Sequence, residues 1–267
     1  MIYICDEVLK QMLIEENDTP DLLADQIKAI DIDNLEQGTI NPNEDRLNLL
    51  GDKFDILCDP ATIDRERVRQ YAVSPPLFVT GIGFLQREGR APALPSSCTE
   101  GKALIGVVGA TNAVNYGVNA ILRGREWNRY RNDIYQALND SLECPGRIIS
   151  VGSSHTDVAR RFCSDKEEIS YYVGDLEIIS AHARLIPGCN FITSSGSFTY
   201  DRYGIFARID YKKEKEKALL LTRFFEVLNR EIMTSDSLLD RAYFAEFGER
   251  ARSPALETFF WSIRGAP

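Results

Sequence analysis

Three short clusters hold the side chains with which this chain could grip a small ligand. The first is Cys58-Asp59-Pro60-Ala61-Thr62-Ile63-Asp64-Arg65-Glu66-Arg67, followed by Ser74. Arginine presents a planar fork of donors that matches a carboxylate with two hydrogen bonds, and a nearby threonine hydroxyl can supply a third. Surface ion pairing among Asp64, Arg65, Glu66 and Arg67 is the alternative reading of the same residues. The second cluster, Val107-Val108-Gly109-Ala110-Thr111-Asn112, is a strand-to-helix turn. The first amides of such a helix favour an anion, although Thr and Asn also serve there as ordinary caps. The third, Tyr171-Tyr172-Val173-Gly174-Asp175, puts a carboxylate just after a strand, able to pair with an ammonium group or to cap a helix.

Other chemistries find less support. Six cysteines (Cys5, Cys58, Cys98, Cys144, Cys163, Cys189) occur without a CxxC spacing, which points away from a zinc knuckle or a thioredoxin-type pair. Sequence does not choose among their possible disulfide pairings. The two histidines, His155 and His182, fall in different segments, so neither a metal site nor a Cys/His nucleophile pair is expected, and no cofactor is called for.

The net charge is −9, and residues 1–60 hold 15 acids against 4 bases. A nucleic-acid partner would need a basic face to displace counterions. The one compact basic run, Lys212 to Lys217, is interleaved with Glu214 and Glu216 and reads as a solvated helix start. No stretch approaches the roughly 18 to 20 apolar residues of a membrane span, and Met1 to Asp6 lack the basic and apolar regions of a secretory signal.

The elements that must position these clusters follow from periodicity. Ile4, Val8, Leu9, Met12 and Leu13 lie at helical spacing, while Ile27 to Ile32 alternates like a short strand. Asn43 can cap a short helix through Arg46, Leu47, Leu49 and Leu50, ended by Gly51, and Phe54 to Cys58 reads as a buried strand. Leu77 to Gln86 is a glycine-broken strand, and Pro92 to Ser97 a loop. From Gly101 strands and helices alternate. Strands are expected at Ala103–Val108, Arg147–Val151, Ile169–Val173 and Tyr203–Ile209, with helices from Ser154 onward and over Asp175–Leu185. Helices over Ala218–Ile232 and Leu238–Phe247 close the chain. The alternation predicts an α/β class with crossover-connected parallel strands, and the length favours two lobes.

The clusters occur in one order, and with their surroundings they resemble the extracytoplasmic solute-binding proteins of ABC transporters that take polar amino acids (bacterial family 3). The matching pieces are Arg46 with Leu49-Leu50-Gly51 and Asp55, Thr62 with Arg67 and Ser74, and Gly101-Lys102 before the turn at Thr111-Asn112. Asp175, Tyr203-Gly204, Tyr243-Phe244 and Phe247-Gly248 complete the set.

The resemblance implies the two-lobed type II periplasmic-binding fold, each lobe a mostly parallel sheet flanked by helices. It also implies a cleft that closes by a hinge, and a discontinuous first lobe of residues 1–79 and 203–267 around a second of 80–202. It assigns the ligand α-carboxylate to Arg67, helped by Thr62, Thr111 and Asn112, and the α-ammonium to Asp175. The protein would be a monomeric, non-enzymatic receptor for an amino acid or similar zwitterion. It would work outside the cytoplasm with a membrane permease and without nucleic acid or metal. A ligand-sensing domain of the same fold, or an enzyme of the cyclohexadienyl dehydratase type, is the alternative. Members of this family open with a signal peptide and a first strand, so both are expected upstream of Met1 in the natural product.

Overall fold

A computed structural model of the chain describes residues 1–15, 46–90, 102–109, 111–119, 149–166, 168–234, 238–249 and 252–264. The expected strand at Ile27–Ile32, the cap at Asn43, the Pro92–Ser97 loop, and Cys98 and Cys144 lie outside the described residues.

In chain order the described elements are α1 (Ile2–Glu15), a 3-10 turn (Arg46–Leu49), β1 (Ile56–Thr62), α2 (Arg67–Gln70), β2 (Ala72–Val73), β3 (Phe78–Thr80), β4 (Ile82–Arg87) and β5 (Ala103–Val108). A π-helical turn (Ala113–Gly117), β6 (Ile149–Gly152), α3 (His155–Phe162), β7 (Ile169–Asp175), α4 (Leu176–Arg184), β8 (Phe191–Thr193) and β9 (Asp201–Ala207) follow. The last are α5 (Lys215–Thr234), α6 (Leu238–Phe247) and α7 (Pro254–Arg264). They group into two α/β units: unit 1 is Met1–Val79 with Arg202–Pro267, and unit 2 is Thr80–Asp201.

Unit 1 holds a sheet of order β1-β9-β2, with β3 also pairing with β9. The β1–β9 and β2–β9 pairs run antiparallel, and the β1–β9 register shifts between Leu57 and Ala61. Pro60, which has no N–H to give a ladder, lies in that irregularity, so the strand continues past Cys58 to Thr62. Helices cover the sheet because their apolar residues share a face. Ile4, Cys5, Val8 and Met12 are buried on α1, and Ala218, Leu221, Phe224, Val227, Leu228 and Ile232 on α5. The α1 residues and Phe224, Val227, Leu228 and Ile232 of α5 meet Val79, Ile205, Tyr243, Leu256 and Phe260 in one core. α6 stops where Gly248, at φ 66°, donates its N–H to the Phe244 carbonyl. A disulfide joins Cys5 on α1 to Cys58 on β1.

Unit 2 holds a five-stranded mixed sheet of order β6-β5-β7-β4-β8. β5 is parallel to β6 and β7, while β4 is antiparallel to β7 and β8. The interior strand β5 is buried at all six residues, which is why its sequence is an unbroken apolar run. Along β7 the pleat sends Tyr171 and Val173 into one core and Tyr172 into another, with Phe162 of α3 and Ile179 of α4. Ser154 caps α3, its Oγ accepting the Asp157 N–H at 3.2 Å. A second disulfide, Cys163–Cys189, ties the residue after α3 to the segment after α4.

The glycine-broken stretch from Leu77 to Gln86 is two strands in two sheets, β3 and β4, and the chain changes unit beside Gly81. A Cβ at Gly81 would lie 2.1 Å from the Thr199 carbonyl oxygen, so only glycine admits that approach.

Candidate functional site

In unit 1 the structure brings Thr62 and Arg67 together. Thr62 ends β1 opposite Tyr203 of β9 and is 9% exposed. The chain then turns: Ile63 N–H bonds the Arg202 carbonyl at 2.7 Å, and Asp64 Oδ1 accepts the N–H groups of Glu66 and Arg67, both at 2.9 Å. That carboxylate thereby starts the single helical turn α2. Arg67 reaches back over the turn. Its Nη1 donates to the Thr62 carbonyl at 2.9 Å and its Nε lies 3.4 Å from Asp64 Oδ2, leaving the side chain 19% exposed. Arg65 is exposed on the same turn.

Of the two readings of this segment, ion pairing has its counterpart in the Arg67–Asp64 pair, and the same pair orients Arg67 just after the strand. Ser74 is buried at 3% exposure and works within the fold. Its Oγ accepts the Ile205 N–H at 3.0 Å and donates to the Pro75 carbonyl at 2.7 Å. Gly204 makes room for it, since a Cβ there would meet Ser74 Oγ at 3.0 Å.

In unit 2 the polar groups gather along one edge of the sheet. β5, β6 and β7 are parallel, so Thr111 and Asn112 after β5, Ser154 after β6, and Asp175 at the end of β7 all belong to the same, carboxyl-terminal edge. Open α/β sheets bind ligands at that edge. Because β4 is antiparallel with Ile82 opposite Asp175, the start of β4 joins them. Asp175 is 9% exposed and occupies the N-cap position of α4, where its side chain makes no capping hydrogen bond. Thr111 Oγ1 donates to the Val108 carbonyl at 2.7 Å, and Asn112 Nδ2 lies 3.5 Å from Asp201 Oδ1.

Sequence reading missed the partners that surround these groups. Thr80 donates its hydroxyl to Glu177 Oε2. Thr199 donates to Asp201 Oδ2 at 2.5 Å and accepts the Ile82 N–H at 2.8 Å. No local spacing announces Thr80, Glu177, Thr199 or Asp201, because the contacts Thr80–Glu177, Thr199–Ile82 and Asp201–Asn112 join residues far apart in sequence.

Sequence reading also placed the two histidines apart, whereas the structure stacks them within unit 2. Among the described residues no group of three or more His, Cys, Asp or Glu side chains converges as a metal site. No helix of the described residues is long and apolar enough to cross a membrane. A cavity of about 700 Å³ opens in unit 1 beside Tyr3, Arg241, Tyr243, Phe244 and Arg252. Neither Thr62 nor Arg67 lines it.

No protein-family model matches the chain, and no curated protein does. Among solved structures it is similar to an ancestral arginine-binding protein bound to glutamine, at 20% identity over 76% of this chain and 75% of that one, with a TM-score of 0.47. It is similar to the holo form of ArgBP from T. maritima, at 22% identity over 74% and 73%, TM-score 0.46. A histidine kinase sensor domain with similarity to periplasmic binding proteins gives 16% identity over 76% and 73%, TM-score 0.49. The likeness is one of fold.

Proposed function

We propose that this chain is a receptor that binds an amino acid or a similar small zwitterion without transforming it, as the substrate-binding component of an ABC transporter. The observation that carries the reading is the setting of Arg67. Its guanidinium is fixed by the Thr62 carbonyl and by Asp64 at the end of a strand, with 19% of the side chain still open to solvent. A guanidinium held in this way is pre-organised for a carboxylate, so less side-chain entropy is lost on binding. Asp175, buried at its own unit's sheet edge, is the candidate for an ammonium group. Two disulfides, Cys5–Cys58 and Cys163–Cys189, suit maturation in an oxidising compartment and support an extracytoplasmic location.

The test is calorimetric titration with L-arginine, L-glutamine and L-glutamate, a cationic, a neutral and an anionic amino acid. Arg67→Ala is expected to weaken the tightest of these by roughly 30-fold to several thousand-fold, because a buried ligand carboxylate loses a charge-assisted partner. Arg67→Lys recovers part of the loss, since a point charge cannot make the forked contact. Arg65→Ala leaves affinity nearly unchanged. Equal binding by the Arg67→Ala and wild-type proteins overturns the carboxylate assignment. Absence of binding to all three amino acids, or conversion of prephenate to phenylpyruvate, overturns the receptor reading.

A further inference from the structure

The chain's two histidines meet in unit 2. His155 opens α3 and His182 lies in the last turn of α4, and their rings stack with centroids 5.3 Å apart and planes inclined by 23°. A hydroxyl lies beside each ring: Tyr172 Oη is 2.7 Å from His155 Nδ1, and Thr156 Oγ1 is 3.5 Å from His182 Nδ1. Tyr172 is fully buried, and its hydroxyl also donates to the His155 carbonyl at 3.2 Å. With that proton committed, the fitting arrangement has His155 Nδ1–H donating to the phenol oxygen.

Charging both rings is unfavourable on three counts. Burial holds the His182 pKa below its ordinary 6.5. His155 stands at the amino end of α3, where the helix dipole opposes a cation. Two stacked imidazolium ions also repel each other directly.

Two features act the other way: His182 lies in the last turn of α4, where the helix dipole favours a cation, and the Asp157 carboxylate follows His155 on the first turn of α3. α3 carries Asp157, Arg160 and Arg161, α4 carries Glu177 and Arg184, β7 carries Tyr171, Tyr172 and Asp175, β4 carries Arg87, and β5 and β6 carry no titratable side chain. Arg161 is paired with Glu168 at 3.3 Å, and Arg87 Nη1 donates to the Phe162 carbonyl at 3.5 Å. Burial first, and the Asp157 charge second, push the Tyr172 phenol well above its ordinary range, so it remains a neutral hydroxyl throughout.

We propose that the His155–His182 stack is a proton-sensitive clasp between α3 and α4, closed while the imidazoles are neutral and released as acid charges them. The Cys163–Cys189 disulfide holds the segments after the two helices, so release is a local opening of α4. That helix begins at Asp175, and Tyr172 lies on the strand that ends there. The released element is therefore the one that positions this carboxylate. The inference stands on unit 2 alone, independently of any ligand.

The sign follows from linkage. A histidine whose pKa is depressed in the fold contributes stability that is fully present above its unfolded value, near 6.5, and is lost as pH falls below it. The experiment uses the full oxidised chain. Hydrogen exchange across residues 176–184 gives the opening constant of α4 from pH 7.5 to 5, and NMR follows both imidazoles over the same range.

In the wild type the opening constant should rise on acidification, by at most about tenfold per pH unit for each proton taken up, and the imidazoles should titrate in two separated steps. In His182→Asn, which keeps a group able to bond Thr156, the pH slope should flatten. The Met1 amino group, whose pKa burial lowers, lies in unit 1 and is present in both proteins. Equal slopes in the two proteins, or two imidazoles titrating independently as ordinary histidines, overturn the clasp. The wild-type imidazole titration decides alone if the variant does not fold.

Discussion

Removing the Cys5–Cys58 disulfide tests the construction of unit 1. The bridge closes a sequence separation of 53 residues and fastens α1 to β1. On the chain-entropy model a loop of that length restricts the unfolded state by about 4 kcal/mol at 25 °C, against about 3.5 kcal/mol for the 26-residue separation of Cys163–Cys189. Alanine is the right replacement at both positions, because Cys5 is 2% exposed among apolar neighbours and a serine hydroxyl would add its own burial cost.

The double variant Cys5→Ala/Cys58→Ala should therefore lose about 3 to 4 kcal/mol. With a denaturant dependence of about 2 kcal/mol per molar urea, its midpoint falls by roughly 2 M. Urea unfolding followed by circular dichroism reads the total, and hydrogen exchange at residues 2–15 shows whether the loss falls on α1. The corresponding change at Cys163 and Cys189 should act on unit 2 and be nearly additive with it. An unchanged urea midpoint, or reactive thiols at Cys5 and Cys58 in protein unfolded without reductant, would refute the reasoning.

Two further expectations concern unit 2. Gly81→Ala forces a Cβ to within 2.1 Å of the Thr199 carbonyl oxygen and 2.5 Å of Ser197 Cβ. It should cost about 3 kcal/mol in thermal unfolding, whereas Gly196→Ala, with open space around it, should be close to neutral. Equal melting temperatures for the two variants would show that the 194–199 segment does not pack on β4 as described. Tyr172→Phe deletes the hydroxyl that bonds both the ring and the carbonyl of His155. It should cost about 1 to 2 kcal/mol in urea unfolding, and a smaller loss would mean that the buried phenol is not the partner of that histidine.

What the sequence discloses is what depends on neighbours along the chain. β5 is legible over Ala103–Val108 because a strand with a partner on each side and a core on each face leaves no room for a polar residue. α6 is legible over Leu238–Phe247 because Gly248 ends it, and the start of α3 because Ser154 caps it. Arg67 and Thr62 belong with these cases: five residues separate them, and a single turn returns one to the other. α7 and β8 show the limit. β8 is three residues long, and two of them are exposed, so no alternation marks it. The strand β1 was readable only to Cys58 because Pro60 argues against continuation, and what overrides the proline is pairing with β9.

The polar groups of unit 2 show why a site is harder to read than a fold. Thr80 meets Glu177 across 97 residues, Ile82 meets Thr199 across 117, and Asn112 meets Asp201 across 89. Each residue alone looks like a cap, a loop polar group or a strand end, and only the sheet order β6-β5-β7-β4-β8 brings them to one edge. The same pairing alters what a residue can do. Asn112, which the family resemblance sets beside a ligand carboxylate, is within reach of the Asp201 carboxylate, and Thr111 gives its hydroxyl proton to the Val108 carbonyl. A threonine that donates to its own turn offers an anion its backbone amide rather than its hydroxyl. Among the residues that the sequence singled out, Thr111 and Ser74 spend their hydroxyl protons on carbonyls of their own segments and so hold the backbone in place. Arg67 differs in degree, since its guanidinium is held by the Thr62 carbonyl and by Asp64 while 19% of the side chain stays exposed, and the binding role proposed for it rests on that setting.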